Sequence, residues 1–375
     1  MTMLVTWGFP TTVVFGVGAV ETVADHVKRI GAKRALVVCD AGVVKVGIAE
    51  RVRAVLEQGG IAAAVFAGVD PNPIEKNILE GVAAYRAHDA ACVVAVGGGS
   101  PLDAGKLIAL KVTHDRPLVD YDDAVDGGQF VSANVPPVVT IPTTAGTGSE
   151  VGRSGVVTLA RKTVIFSPHL LAKVALLDPE LTRSMPPRVT AATGFDALTH
   201  CLEAYCSVGD HPMADSIALG GLELCAQHLA RAVAHGDDLT ARGGMMKAAM
   251  MGAVAFQKGL GACHSLAHPL SSENGLHHGL ANALCLPAVV DFNQSVVAAK
   301  LDRIRAILDP LSKTVGEALR ALRRRVGLPD GLRAEGVAEG DIPKLADKAI
   351  ADACHRGNPR PVTREDLAGL YRASL

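Results

Sequence analysis

The chain has 375 residues, Lys+Arg 37 against Asp+Glu 38, a formal net charge of −1 and 13 histidines. That balance argues against a nucleic-acid or anionic-membrane binder, which needs a basic excess or stripe. Forty-nine per cent hydrophobic and 20% charged residues exclude global disorder. The apolar runs, such as 90–96, fall well short of the roughly 18–20 residues that span a bilayer. Residues 1–10 lack a basic stretch followed by an apolar one, so no signal peptide is expected. At roughly 100–200 residues per domain the length suggests two domains.

In chain order, Thr12–Phe15 reads as a strand, 21–30 as a helix and 35–39 as a buried strand. Residues 43–58 read as one helix, Ala62–Phe66 as a strand, 75–88 as a helix and 91–96 as a strand. A helix over 101–111 precedes a strand at 137–141, with short strands at 164–166 and Val174–Leu177. Strands alternating with helices predict βαβ units and a mostly parallel, Rossmann-like sheet. After Met185-Pro186-Pro187 the pattern becomes Ala- and Leu-rich and helical: 191–205, 213–234, 240–256, 280–293 and 298–326. The expected domains are an α/β domain over 1–185 and an all-α domain over 186–375. The basic run at 320–325 reads as a solvated helix face. The eight cysteines are scattered with no CxxC pair, which predicts packed, reduced thiols in a cytoplasmic protein.

Two glycine clusters compete as a dinucleotide cradle. Gly16-Val17-Gly18 follows a strand, but Glu21 occupies the third glycine position of the fingerprint, and a tight turn explains it equally. Gly97-Gly98-Gly99-Ser100 follows a strand and opens a helix carrying Asp103 and Lys106. Its glycines let backbone amides approach a pyrophosphate at the positive end of that helix. Asp40, at the end of the 35–39 strand, suits an adenosine ribose and would repel a 2′-phosphate; a helix N-cap is the equal alternative. The loop Thr143-Thr144-Ala145-Gly146-Thr147-Gly148 supplies hydroxyls and glycines at a third strand end. Three such loops point to a dinucleotide.

The helical half holds the histidine cluster. Asp196 and His200 stand at i, i+4, as do His264 and His268, and the doublet His277-His278 follows. Side chains at that spacing share one helix face. A carboxylate with three imidazoles suits a divalent first-row ion, and zinc is compatible. For any one of these histidines, an ordinary hydrogen-bonded residue is the plainer reading; the joint spacing is what argues for a metal.

These residues resemble the iron-containing (group III) alcohol dehydrogenase family over nearly the whole chain. The resemblance rests on 97–106, 142–151, 194–205, 261–269, His278-Gly279-Leu280-Ala281-Asn282-Ala283 and Asn358-Pro359-Arg360. It implies a dehydroquinate synthase-like architecture, with an N-terminal dinucleotide-binding α/β domain and a helical C-terminal domain. It implies Asp196, His200, His264 and His278 as ligands of Fe2+, with Zn2+ as the alternative, and His268 as a catalytic proton relay near the nicotinamide. His278 rather than His277 keeps the family's spacing to His264. For the cofactor, NAD rather than NADP, it implies Asp40 at the ribose and Asn72 near the adenine. Gly97, Gly98, Gly99, Ser100 and Asp103 would surround the pyrophosphate, with Thr143, Thr144, Thr147 and Lys162 at the nicotinamide end. Gly152 departs from the family where a cofactor-contacting threonine is usual. Lys258 stands where many members have a small residue. It is expected either to meet an anionic substrate group, such as the carboxylate of an ω-semialdehyde, or to reach solvent or cap a helix.

The expected activity is a reversible alcohol dehydrogenase and aldehyde reductase acting on a small alcohol or aldehyde, in a homodimer or larger homo-oligomer, with no nucleic-acid or membrane partner. The alternatives on the same framework are a maleylacetate reductase-like enzyme, which needs no metal, a dehydroquinate synthase-like lyase, which needs a basic phosphate pocket, and a non-catalytic relative.

Overall fold

The structure, a computed structural model, describes residues 11–375; the segment 1–10, read above for a signal peptide, lies outside the described residues. The described chain forms two compact units, one of residues 11–144 with Gly148–Ser184, the other of Ala145–Thr147 with Met185–Leu375. The tripeptide Ala145–Thr147 therefore packs with the helical unit although it sits within the α/β part of the sequence. Gly146 explains this locally, since a Cβ there would lie 2.9 Å from Thr193 Cβ.

The α/β unit carries strands β1 (Thr12–Phe15), β2 (Arg34–Val38), β3 (Ala62–Phe66), β4 (Cys92–Gly97), β5 (Val138–Pro142), β6 (Ser154–Thr158), β7 (Lys162–Phe166) and β8 (Val174–Leu177). Six of them form a parallel sheet in the order β1-β8-β5-β4-β2-β3, and β6 pairs antiparallel with β7 in a separate hairpin. Its helices are α1 (Val23–Arg29), α2 (Ala41–Lys45), α3 (Ile48–Gln58), α4 (Glu75–Ala87) and α5 (Gly99–Thr113). Strands β2, β4, β5 and β8 are almost wholly buried, as a sheet covered on both faces requires. From β2 the chain passes to β3 on one side, and from β4 to β5 on the other. The switch in strand order thus lies between β2 and β4, where open α/β sheets bind ligands beyond the strand ends.

Two expectations change here. The single helix expected over 43–58 is two, because Gly47 adopts φ +79 between α2 and α3. The strand β6 was not anticipated, since its one-faced burial follows from pairing with β7 rather than from an apolar run.

The helical unit contains α6 (Pro187–Cys206), α7 (Pro212–Ala234), α8 (Leu239–Ala255), α9 (Ala262–Glu273), α10 (His278–Asn293), α11 (Ala298–Leu308), α12 (Val315–Arg325), α13 (Ile342–Ala351) and α14 (Arg364–Ser374). Helix α6 is buried on every side from Thr190 to Cys206 and packs against α7, α8 and α10. Small residues allow that closeness: a Cβ on Gly252 of α8 would lie 2.9 Å from His200 Cβ. The expected helix over 298–326 breaks at Asp309-Pro310 into α11 and α12. Within the basic run, Arg320, Arg324 and Arg325 reach solvent to differing degrees, but Arg323 is buried and pairs with Asp330. None of the eight cysteines is in a disulfide, and seven of them are buried.

Candidate active site

The helical unit gathers its ionisable groups from three helices. Asp196 and His200 lie one turn apart on α6, His264 lies on the first turn of α9, and His278 opens α10. Ligand atoms of Asp196, His200 and His264 all fall within 4.8 Å of one another. His278 joins them, with Nε2 3.5 Å from Asp196 Oδ1. The rings of His200 and His264 stack with centroids 4.7 Å apart, and Phe256 closes on His200 at 5.0 Å. Helix α10 can come this close because Gly279 has no side chain; a Cβ there would sit 2.1 Å from the Ala192 carbonyl oxygen.

Burial sets the charge state of this cluster. It pushes His200 down to about 4, against the opposing pull of Asp196, so the ring is neutral near pH 7. For His264 burial again pulls downward, but the hydrogen bond and charge of Glu203 outweigh it and raise its pKa. Three further residues, which no spacing in the sequence singles out, complete the arrangement. Glu203 accepts from His264 Nδ1 at 2.6 Å, and Asn282 donates Nδ2–H to Asp196 Oδ1 at 2.8 Å. Asp352 accepts from His268 Nδ1 at 2.7 Å, while the His268 ring stacks on His278 at 5.2 Å. Glu203 lies seven residues beyond Asp196 on the same helix face, and its burial is what marks it. Asp352 follows α13 and has no local pattern to announce it.

The donor set fits a divalent ion. One carboxylate and neighbouring imidazoles converge, and a carboxylate behind His264 directs its Nε2 lone pair away from Glu203. His277 is exposed at the N-cap of α10, beside the cluster rather than in it. Lys258 is not an open cation. Its Nζ is buried, ion-paired with Asp215, and donates to the Tyr205 carbonyl at 3.0 Å. Asp215 meets that charge inside the helical unit, so the lysine does not reach solvent.

In the α/β unit, β4 ends at Gly97 with φ +146, a conformation that side chains avoid, and α5 begins two residues later. A Cβ on Gly98 would come within 3.3 Å of Thr144 Cγ2, so the glycine turn and the threonine loop face each other closely. This leaves the first amides of a 15-residue helix at the sheet's switch point, the chemistry of a phosphate cradle. Thr143 N–H bonds the Gly97 carbonyl at 2.9 Å. Ser100 Oγ donates to the Pro71 carbonyl, tying α5 to the loop that bears the exposed Asn72. Asp40 caps α2, with Oδ1 accepting the Val43 amide at 2.8 Å. The competing turn around Gly18 leads into a short 3₁₀ turn rather than directly into an α-helix.

Asp103 and Lys106 anchor the loop after β5. Lys106 is buried, 3.2 Å from Asp103, and donates to Ser149 Oγ and to the Ser149 and Ser154 carbonyls. Ser149 in turn donates to Asp103. Lys162 is half-buried at the start of β7, and Thr147 lies in the segment that packs with the helical unit. Glu150, fully buried nearby, is pushed up to about 7 by burial, with a backbone hydrogen bond and the Lys106 charge opposing. Its ordinary value is 4.5, so between these values the unfolded chain releases a proton that the folded chain keeps. Stability from this group is present below about pH 4.5 and falls by roughly 3 kcal/mol as pH rises through 7. Glu150→Gln should therefore gain melting temperature relative to wild type between pH 5.5 and 8, in a pair of scans; a constant difference would refute the assignment.

Residues 10–179 match the family described as "Iron-containing alcohol dehydrogenase", and 190–375 match "Fe-containing alcohol dehydrogenase family, C-terminal". The chain is similar to a 4-hydroxybutyrate dehydrogenase of Cupriavidus necator, 40% identical over 370 residues and 96% of each chain. Its structure is similar to a crystal structure of 1,3-propanediol oxidoreductase, with TM-score 0.94, 35% identity and full coverage of both chains. It is also similar to sulfoacetaldehyde reductase from Bifidobacterium kashiwanohense in complex with NAD+, with TM-score 0.91, 29% identity and 99% of each chain covered.

Proposed function

The chain belongs to the iron-containing alcohol dehydrogenase family and is an oxidoreductase acting on CH–OH groups; from that premise we propose a metal-dependent, NAD-linked dehydrogenase of a small alcohol that also reduces the corresponding aldehyde. The observation that carries this reading is the convergence of Asp196, His200 and His264 with His278 beside them. These four residues would hold Fe2+, or Zn2+ in its place. Bound there, the ion supplies Lewis acidity toward the substrate oxygen. The dinucleotide supplies the hydride acceptor.

The chain's own residues do the rest. His268, held by Asp352, takes the hydroxyl proton in oxidation and returns it in reduction. Gly97, Gly98, Gly99 and Ser100, at the start of α5, receive the diphosphate on backbone amides. Asp103, one turn into the same helix, borders the diphosphate and with Lys106 anchors the Ser149 loop beside it. Thr143, Thr144, Thr147 and Lys162 serve the nicotinamide end, and Asn72 the adenine side. Asp40 uses Oδ1 to cap α2, and its carboxylate meets the ribose hydroxyls, where it disfavours a 2′-phosphate. The NAD+ complex of the sulfoacetaldehyde reductase supports that preference.

The relative named 4-hydroxybutyrate dehydrogenase makes ω-hydroxy acids the first substrates to try. With Lys258 paired to Asp215, an ω-carboxylate would be met by another group. The enzyme is taken to act in the cytoplasm as a homodimer or larger homo-oligomer. The test is NADH consumption with a panel of small neutral and ω-carboxylated aldehydes, before and after chelation and after Fe2+ or Zn2+ repletion. Activity should vanish on chelation and return with metal, and kcat/KM should favour NAD over NADP. Undiminished turnover after chelation overturns the metal; a strong NADP preference overturns the role of Asp40.

A further inference from the structure

Glu203 uses each of its two oxygens for a different task. It is 4% exposed and lies on α6, three residues beyond His200. Oε1 accepts the Cys263 N–H at 2.7 Å, one of the otherwise unbonded amides at the start of α9. Oε2 accepts from Nδ1 of the next residue, His264, at 2.6 Å. The approach is close enough to require glycine at 261, where a Cβ would lie 2.7 Å from Glu203 Oε1. Asn358 holds the adjacent amide, with Oδ1 accepting from Ala262 N at 3.3 Å, and is itself locked by a reciprocal amide pair with Asn293.

We propose that Glu203 is a positioning residue that presets His264 for metal binding. By accepting Nδ1–H it holds the neutral ring in the tautomer whose Nε2 lone pair faces Asp196 and His200. The opposite tautomer would direct Nε2–H into the space the ion must enter. By capping α9 with its other oxygen, the same carboxylate sets where along α6 the imidazole stands. Helix α6 thus supplies two ligands and also orients a third on a different helix. Asn282 Nδ2, which donates to Asp196 Oδ1, stands 3.3 Å from His278 Nε2 and 3.5 Å from His264 Nε2, so the groups around the Nε2 side leave room for a lone pair there. The assignment rests on the proposed metal centre.

The test uses the full-length protein, stripped of metal and titrated with Co2+, whose visible absorption reports the geometry of the bound ion. In Glu203→Gln the amide oxygen can keep the Cys263 cap, which turns the NH2 toward Nδ1 and forces the ring into the Nε2–H tautomer. The expected result is Co2+ affinity lower by about 10–100-fold and an altered Co2+ spectrum. The metal-free melting temperature should stay near wild type, because the cap survives. Glu203→Ala should lose both affinity and melting temperature. Wild-type affinity and spectrum in Glu203→Gln overturn the proposal. So does a loss of affinity that only tracks a loss of metal-free stability, the signature of a merely structural contact. Equal Co2+ binding by wild type and Asp196→Asn would instead refute the metal centre itself, and the role of Glu203 with it.

Discussion

Asp196→Asn should lower kcat/KM by at least about 10³-fold while leaving the metal-free protein as stable as wild type or more so. The two halves of this expectation have one cause. Asp196 is 2% exposed, and its Oδ1 lies 2.8 Å from Asn282 Nδ2, 3.5 Å from His278 Nε2 and 4.0 Å from His200 Nε2. Without an ion, that carboxylate carries the desolvation cost of a buried charge. Asparagine has the same shape, keeps an oxygen for Asn282 and carries no charge, so the empty site relaxes. With an ion the sign reverses, because Asp196 is the one anionic side chain among the four proposed ligands. Lewis-acid assistance is worth several kcal/mol, and about 4 kcal/mol corresponds to 10³-fold in rate. Metal content per chain and melting temperature with and without added metal should show binding lost and the metal-free fold intact. A variant that keeps wild-type kcat/KM would remove Asp196 from the chemistry. A variant that melts early without metal would make it a structural residue.

What the sequence revealed follows the range over which each signal acts. The parallel sheet was legible because short apolar strands and amphipathic helices are local patterns, and the edge strands β1 and β3 and the buried β8 lie at the positions read from it. Helices were merged where one residue decided the matter, at Gly47 and at Pro310, and α9, α13 and α14 were not read from the sequence at all. The same arithmetic that pairs Asp196 with His200 also reaches Glu203, yet a glutamate on a helix ordinarily faces water, so only its burial reveals its use. Lys258 shows the limit from the other side. Its unusual position suggested an open cation, but Asp215, 43 residues away, matches the charge. The partner of His268 is 84 residues distant. No spacing rule connects such pairs; only the packing of α9 against α13 and the turn after it does.

That distant pair carries the second large effect. Asp352→Asn should lower kcat for alcohol oxidation by about 10²–10⁴-fold, the usual worth of a positioned acid–base group, with metal content and NAD affinity close to wild type. Oδ2 of Asp352 accepts from His268 Nδ1 at 2.7 Å, and Oδ1 accepts Ser265 Oγ–H at 2.8 Å and the Cys354 amide at 2.9 Å. Burial opposes ionisation, but the His268 hydrogen bond and charge, the Cys354 amide and the Ser265 hydroxyl together hold the carboxyl well below the ordinary range. The ionised group fixes the Nδ1–H tautomer of His268 and leaves Nε2 as the proton-accepting nitrogen. It also stabilises the imidazolium formed when that nitrogen takes a proton. In the asparagine variant the amide oxygen has two donors to satisfy, Ser265 and Cys354, so the NH2 turns to Nδ1. The ring must then carry its proton on Nε2, where it can no longer accept one. If the pair acts as a unit, Asp352→Asn combined with His268→Ala should be little slower than His268→Ala alone, since the carboxylate has nothing left to orient. Wild-type kcat in the single variant, or full additivity in the double, would separate Asp352 from proton transfer and leave it only the anchoring of Ser265 and Cys354.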